Sequence, residues 1–579
     1  MISSLSGTES PVGSHASPSR PSSGGSGIVP AAVVLALVWI VIVVTVDPRG
    51  EFMVNDDWSF VKLLEGLSEG KMIATGWGHG GPSAIAHVLW GGLFTKIVGF
   101  SLTNLRISVL VLGVAGSFIL LFMLRMAGAS VGLALLGSLT VVLNPLFLSQ
   151  SFTFMTDITF MTLVLCSVLF LSHGMEARRT SLIVIGLLFA LGGILTRQIG
   201  VVVPAGFVVG CLVHPRGRDF GRLKVLLLVV AVVILPWIAY EFFLFKVGST
   251  PVTQHDVVTN IYRVPLEKGF SGFLEYLFSM VVLAQFGYLG FFLAPLLSIH
   301  WRDYFKHDAF KYYFCIVTAC FLGLEAALMS GFIDPPVLFH RNVIFDLGIG
   351  PILLKDTYIL GIRRLEAIPK PLYFLLVYWA VMGAGVLLGL LFLSLKRAAH
   401  AILARKACEA PFLGVFCLAS ALFYLGIITL TGFHDRYLIP PLVFLVLWLT
   451  SEHFSGRGYR SSLRDILPGV AALTLTGAVS VAGVHDFMAM KRGLGEAHRY
   501  LTHELKVDPC NIDGGFEFNG YHCYRKEYIS PDGLSWWWVR REDYLVALGP
   551  LDGYRTVKTF PFNRMLGRDG AIHVLKPRR

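Results

Sequence analysis

The chain has 579 residues, of which 55% are hydrophobic and only 15% charged, and its mean hydropathy is +0.68. Soluble domains carry about a quarter charged residues, so this composition excludes an ordinary soluble protein and points to one embedded in lipid. The formal net charge is +11, yet the basic residues are dispersed among loops instead of forming one stripe with interleaved aromatics, which argues against nucleic acid as a partner. Of the eight cysteines, Cys166, Cys211, Cys315, Cys320, Cys408 and Cys417 lie in or beside apolar segments and read as small core residues.

In chain order, residues 1–26 are rich in Ser, Gly and Pro, lack apolar periodicity and read as a disordered cytoplasmic tail. Ile28 to Val46 is an uncharged apolar run that reaches about 28 Å as a helix, the thickness of the hydrocarbon layer. It has no small-residue cleavage site and is expected to stay as the first span. Twelve more apolar runs follow, at 103–124, 130–148, 158–172, 181–195, 199–213, 225–245, 272–298, 312–330, 371–395, 412–431, 437–450 and 466–484. The fold class expected is therefore an all-α polytopic membrane protein of about 13 transmembrane helices. With the N-terminus inside, alternate short connections hold Arg125, Arg178 and Arg179, Arg216 to Lys224, Arg302 to Lys311, Lys396 to Lys406, and Arg457 to Arg464, as cytoplasmic loops should.

This topology places the stretch after the last span outside. Three divisions result: 1–26, a transmembrane domain over 27–485 with its first outer loop at 47–102, and a soluble non-cytoplasmic domain over 486–579. Charge, Gly-Pro-Asp turns and short β-rich runs at Tyr544 to Leu548 and Ile572 to Leu575 suggest a small α+β fold for that last part. Cys510 and Cys523 lie in it, 13 residues apart; a disulfide between them is expected in an oxidising compartment, with two free thiols as the plain alternative.

Ionisable groups that do chemistry in a membrane protein belong in loops and span ends, because charge at the bilayer centre is costly. The first outer loop is the richest place. Asn55-Asp56-Asp57-Trp58 opens an amphipathic segment with Phe60, Leu63, Leu64 and Leu67 at helical spacing, and residues 83–99, with His87, Trp90 and Lys96, read as a second surface helix. Asp157 begins a span and Arg197 stands between two apolar runs; a helix cap and an interfacial anchor are the plain structural alternatives for these two. His434, Asp435 and Arg436 open the twelfth span, while His79, His255, His340 and Arg341 sit in loops and are candidates for contacting substrate.

Several of these segments resemble, in order, the GT-C superfamily of integral-membrane glycosyltransferases, the group that includes bacterial aminoarabinose transferases and protein O-mannosyltransferases. The resemblance rests on Asn55-Asp56-Asp57-Trp58-Ser59-Phe60, on Phe100 to Arg106, on Asn144-Pro145-Leu146-Phe147 followed by Phe154-Met155-Thr156-Asp157, and on Asp435 to Pro441. The first loop departs from the pattern in having Asp-Asp where many members have Asp-Glu. The resemblance implies inverting transfer of a sugar from a polyprenyl-phosphate donor to a lipid, glycan or protein acceptor at the non-cytoplasmic face, in what would be a bacterial inner membrane. By position Asp56 matches the catalytic Asp, Asp57 is an adjacent alternative and Asp157 matches the second acidic position. Arg197 and Arg436 are the candidates for the donor phosphate. No cofactor is implied; some members use a divalent metal, but these carboxylates, with no histidine set nearby, do not demand one. Two other classes fit many spans: a flippase of lipid-linked sugars, which should show mid-span charges and internal repeats, and an O-antigen-type polymerase or ligase, which should concentrate its polar residues in a late loop.

Overall fold

A computed structural model describes residues 27–71, 82–247, 267, 269, 280–299, 304–306, 308–329, 342–345, 348–364, 368–403, 410–454, 463–531 and 533–578. His79, His255, His340 and Arg341 lie outside the described residues.

Each of the thirteen apolar runs coincides with helix wherever it is described, but the described helices do not confirm a count of thirteen spans. Among the described residues, seven helices are long and apolar enough to cross a membrane by themselves: Ile28–Val46, Leu102–Met126, Thr156–Ala177, Arg222–Lys246, Pro371–His400, Phe412–Thr431 and Ile466–Glu504. An eighth is gained if Val131–Val142 and Pro145–Ser151, bent by 65°, form one broken span. Pro145 explains the break, because it removes a helix N–H and Asn144 caps the new start by accepting from Leu146 N. Others, such as Thr180–Ile194 with 15 residues, rise only about 22 Å, short of the roughly 30 Å hydrocarbon layer. Apolar composition alone did not distinguish these from full spans.

Polar ties hold the bundle around the first loop. Trp39 donates its indole N–H to Ser117 Oγ at 3.0 Å, joining the first helix to Leu102–Met126. Gly113 and Gly116 let that helix approach Ser151 and Thr162 closely enough for Thr162 Oγ1 to donate to Leu112 O at 3.0 Å. Asp57–Ser68 is the amphipathic helix expected after Asn55, with Phe60 and Leu63 buried, and Ile85–Val98 follows it.

The last long helix, Leu463–Arg499, runs without a break through the boundary expected at 485, so the tail grows directly out of it. The tail's sheet comprises β1 (Ile512–Asp513), β2 (Tyr544–Ala547), β3 (Tyr554–Phe562) and β4 (Gly570–Pro577). The strand order is β1-β2-β4-β3, with β1 parallel to β2 and the other pairs antiparallel. Its inner face, including Ile572 and Val574, is buried and continuous with the core of the helical bundle. Cys510 and Cys523 form a disulfide that closes a separation of 13 residues around the helix Phe516–Cys523. A loop of this size is worth about 3 kcal/mol in the chain-entropy account, so the Cys510→Ser/Cys523→Ser protein is expected to unfold its tail at a clearly lower temperature. Non-reducing peptide mapping together with thermal unfolding checks both the bond and its effect.

Candidate active site

The first loop is built by backbone capture. Arg106, buried in the Leu102–Met126 helix, donates from Nη1 to Pro48 O at 2.6 Å and Gly50 O at 3.2 Å, and from Nη2 to Phe52 O at 2.7 Å. Its guanidinium also lies 4.0 Å from the Phe52 ring centre, so chain direction is fixed just before Asn55. Asn55 then adopts φ 53°, the left-handed region that Asn tolerates better than most residues, and the chain turns into the helix at Asp57.

The two adjacent aspartates do different things. Asp57 is 3% exposed, and its Oδ2 accepts from Val54 N at 3.2 Å and from Phe154 N at 3.1 Å, tying the first acidic loop to the second. Its Oδ2 thus serves as a tie between the two loops, while its Oδ1 is buried without a hydrogen-bond partner among the described residues. Asp56 retains 20% side-chain exposure and sets Oδ2 3.5 Å from Arg436 Nη2. His87 supports the same corner: one ring nitrogen meets Thr159 Oγ1 at 2.9 Å and the other Phe154 O at 3.0 Å.

Burial raises the Asp57 carboxyl to about 7, against the opposing pull of the Phe154 and Val54 N–H groups and Arg106. A carboxyl whose folded pKa exceeds its unfolded value near 3.9 favours the fold in its neutral form, so that stability is full below about pH 4 and is lost as pH rises towards 7. Asp57→Asn keeps an acceptor for the two N–H groups and cannot ionise. Its melting temperature is therefore expected to fall less between pH 5 and pH 8 than that of the wild type, which thermal scans across that range will read.

Opposite the first loop, Asp157 is 3% exposed and its Oδ1 is ion-paired with Arg197 Nη1. Tyr437 joins this pair to Arg436: the Arg197 guanidinium lies 4.8 Å and that of Arg436 5.6 Å from its ring centre. Asp56, Arg436, Tyr437, Arg197 and Asp157 thus form one continuous polar line assembled from distant parts of the chain. Arg436 Nε and Nη1 and Asp157 Oδ2 are buried on this line with no hydrogen-bond partner among the described residues. Such a pair of buried guanidinium donors is suited to a phosphate.

Asp435, expected among residues contacting substrate, is fully buried. It accepts from Val343 N at 3.0 Å, Ile344 N at 2.8 Å and Arg436 N at 2.9 Å, and so anchors the 343–344 segment beside Arg436. His434 stacks edge-on against Tyr437 at 5.2 Å. Tyr437 and His87 were both visible in the quoted segments, but nothing in their spacing marked them as parts of the site. Among the described residues, no three His, Cys, Asp or Glu side chains gather in a group that would hold a metal.

Residues 83–240 match the family model described as dolichyl-phosphate-mannose-protein mannosyltransferase. That stretch includes Asp157 and Arg197. Among solved structures, the chain is similar to ArnT from Cupriavidus metallidurans in its apo state, at 14% identity and a TM-score of 0.34, over 84% of this chain and 82% of that one. It is also similar to ArnT from the same organism bound to undecaprenyl phosphate, at 15% identity and a TM-score of 0.34, over 83% of this chain and 81% of that one. No curated protein matches. The family match covers residues 83–240, less than a third of the chain, and its description names the kind of membrane glycosyltransferase that the chain's motifs resemble.

Proposed function

We propose that the protein transfers a sugar from a polyprenyl-phosphate donor to an acceptor hydroxyl or amine at the non-cytoplasmic membrane face, with inversion at the anomeric carbon. The observation that carries this reading is the polar line from Asp56 through Arg436, Tyr437 and Arg197 to Asp157, with two buried Arg436 donors available. The family's description, which names a dolichyl-phosphate sugar, supports a lipid-phosphate donor.

In this reading the acceptor heteroatom attacks the anomeric carbon and its proton passes to Asp56. The new glycosidic bond forms as the bond from that carbon to the phosphate oxygen breaks, and the electron pair leaves with the polyprenyl phosphate. Arg436 and Arg197 hold the phosphate as its charge grows, where fixed donors in a site shielded from water are most effective. Because the displacement is direct, one carboxylate base is enough and no covalent sugar–enzyme intermediate forms. The guanidiniums supply the charge stabilisation, so the scheme requires no metal.

The test is a cell-envelope glycan profile of a deletion strain complemented with wild type or with Asp56→Asn. A sugar modification that disappears on deletion, returns with wild type and fails to return with the variant supports the proposal. An unchanged envelope in the deletion strain removes it.

A further inference from the structure

The tail reaches back to the first outer loop, and its contacts fall on either side of Asp56. Before it, Glu517 Oε1 accepts from Asn55 N at 3.1 Å and from Lys491 Nζ at 2.6 Å. This pair is buried, with the Lys491 and Glu517 side chains 3% and 9% exposed. The N–H that Glu517 captures belongs to the residue whose φ of 53° turns the chain into Asp56. After it, Trp58 is wholly buried among Phe516, Tyr524 and Trp538, with ring centres 5.9, 5.4 and 5.6 Å away. Gly520 lies beneath the indole so closely that a Cβ there would come within 2.6 Å of Trp58. Further along the same helix, Tyr521 donates its hydroxyl to Glu65 Oε1 at 2.6 Å.

These contacts do more than attach a domain to a surface. Asp56 itself touches Arg436 at 3.5 Å, a separation too long to lock the carboxylate in place. Its position is set by the backbone on either side, and both sides are clamped by the tail. A misplacement of about 1 Å can cost a positioned catalytic group on the order of 100-fold, so the clamp controls where the base stands. We propose that Glu517, held by Lys491, is a positioning residue for Asp56, and that the tail thereby completes the transfer site. The inference rests on Asp56 being the base.

Two single substitutions separate positioning from stability. Glu517→Gln keeps an oxygen for Asn55 N–H but leaves the buried Lys491 without its counter-charge. Glu517→Asp keeps the charge for Lys491 but withdraws the oxygen from Asn55 by one methylene. In the complemented deletion strain, Glu517→Gln is expected to lower the melting temperature more than Glu517→Asp does and to slow envelope modification less, by about threefold. Glu517→Asp should melt near wild type yet modify about 10- to 100-fold more slowly. Undecaprenyl phosphate, used as the binding probe on purified protein, should bind both variants as it binds wild type. Combining Glu517→Asp with Asp56→Asn should slow the reaction no further than Asp56→Asn alone.

A wild-type rate in Glu517→Asp, or rates that simply follow melting temperature, would overturn the positioning role. Should Glu517→Asp fail to fold, Gly520→Ala tests the other clamp, with the same expected slow rate, intact probe binding and the same overturning result. The two readings fail differently. A wild-type rate in Asp56→Asn removes the base and the positioning role with it, whereas a slow Asp56→Asn beside a normal Glu517→Asp leaves the base and removes only Glu517.

Discussion

Replacing Asp56 with Asn is expected to slow sugar transfer by about 100- to 10,000-fold, the usual contribution of a positioned general base, while expression, melting temperature and undecaprenyl phosphate binding stay near wild type. The expectation follows from what Asp56 does not do. Its neighbour Asp57 is committed to two backbone N–H groups and is almost sealed from solvent, and Asp157 is committed to Arg197. Asp56 keeps a fifth of its side chain exposed and has one loose contact, so of these three carboxylates it is the most open to solvent. Asparagine has nearly the same shape and still caps a helix, but it takes a proton far less readily. The measurement is the rate of envelope modification at matched protein level. If Asp56→Asn works at close to the wild-type rate and Asp157→Asn does not, the base belongs to the second acidic loop.

The helices were largely legible in the sequence because apolar runs are a local property. Every described run is helical, and even the amphipathic Asp57–Ser68 helix could be read from the spacing of Phe60, Leu63, Leu64 and Leu67. Span number was less legible, since a run of 15 apolar residues serves a buried short helix as well as a membrane crossing. The boundary placed at 485 illustrates a related ambiguity. Charges at Asp486, Lys491 and Arg492 look like the end of a span, yet the helix continues because Lys491 is buried against Glu517 and Asp486 accepts from Met565 N and Leu566 N of the tail. Those partners are distant in sequence and invisible to a window.

The site was legible as a set of candidates and illegible as an arrangement. Asp56 and Arg436 are 380 residues apart, and order along the chain could suggest both without revealing that they meet. Asp56 and Asp57 look interchangeable in a sequence, because what separates them is the N–H of Phe154, 97 residues from Asp57. The tail's contact with the first loop had only a faint signal: the run Trp536-Trp537-Trp538 is unusually apolar for a solvent-facing segment, and Trp537 and Trp538 are buried in the cluster that receives Trp58.

The second large effect is expected at Arg436. Arg436→Ala should lower transfer by about 100- to 1,000-fold, the loss seen when one preorganised donor is taken from a developing negative charge. Unlike Asp56→Asn, it should also weaken undecaprenyl phosphate binding, because the contact exists before the bond breaks and only tightens as the phosphate gains charge. Arg436→Lys restores a point charge without the planar fork, so partial recovery is expected if Nε and Nη1 both engage the phosphate. Arg197 offers the necessary contrast. It is paired with the buried Asp157, and Arg197→Ala strands that carboxylate, at a cost on the order of 3 to 5 kcal/mol in stability. The melting temperature should therefore fall sharply in Arg197→Ala and little in Arg436→Ala, whose neighbour Asp56 is partly solvated. The joint change Arg197→Gln/Asp157→Asn removes both charges together and should regain much of the lost stability without regaining transfer. Full transfer and normal probe binding in Arg436→Ala at wild-type expression would show that the donor phosphate lies elsewhere and that Arg436 does not orient Asp56 either.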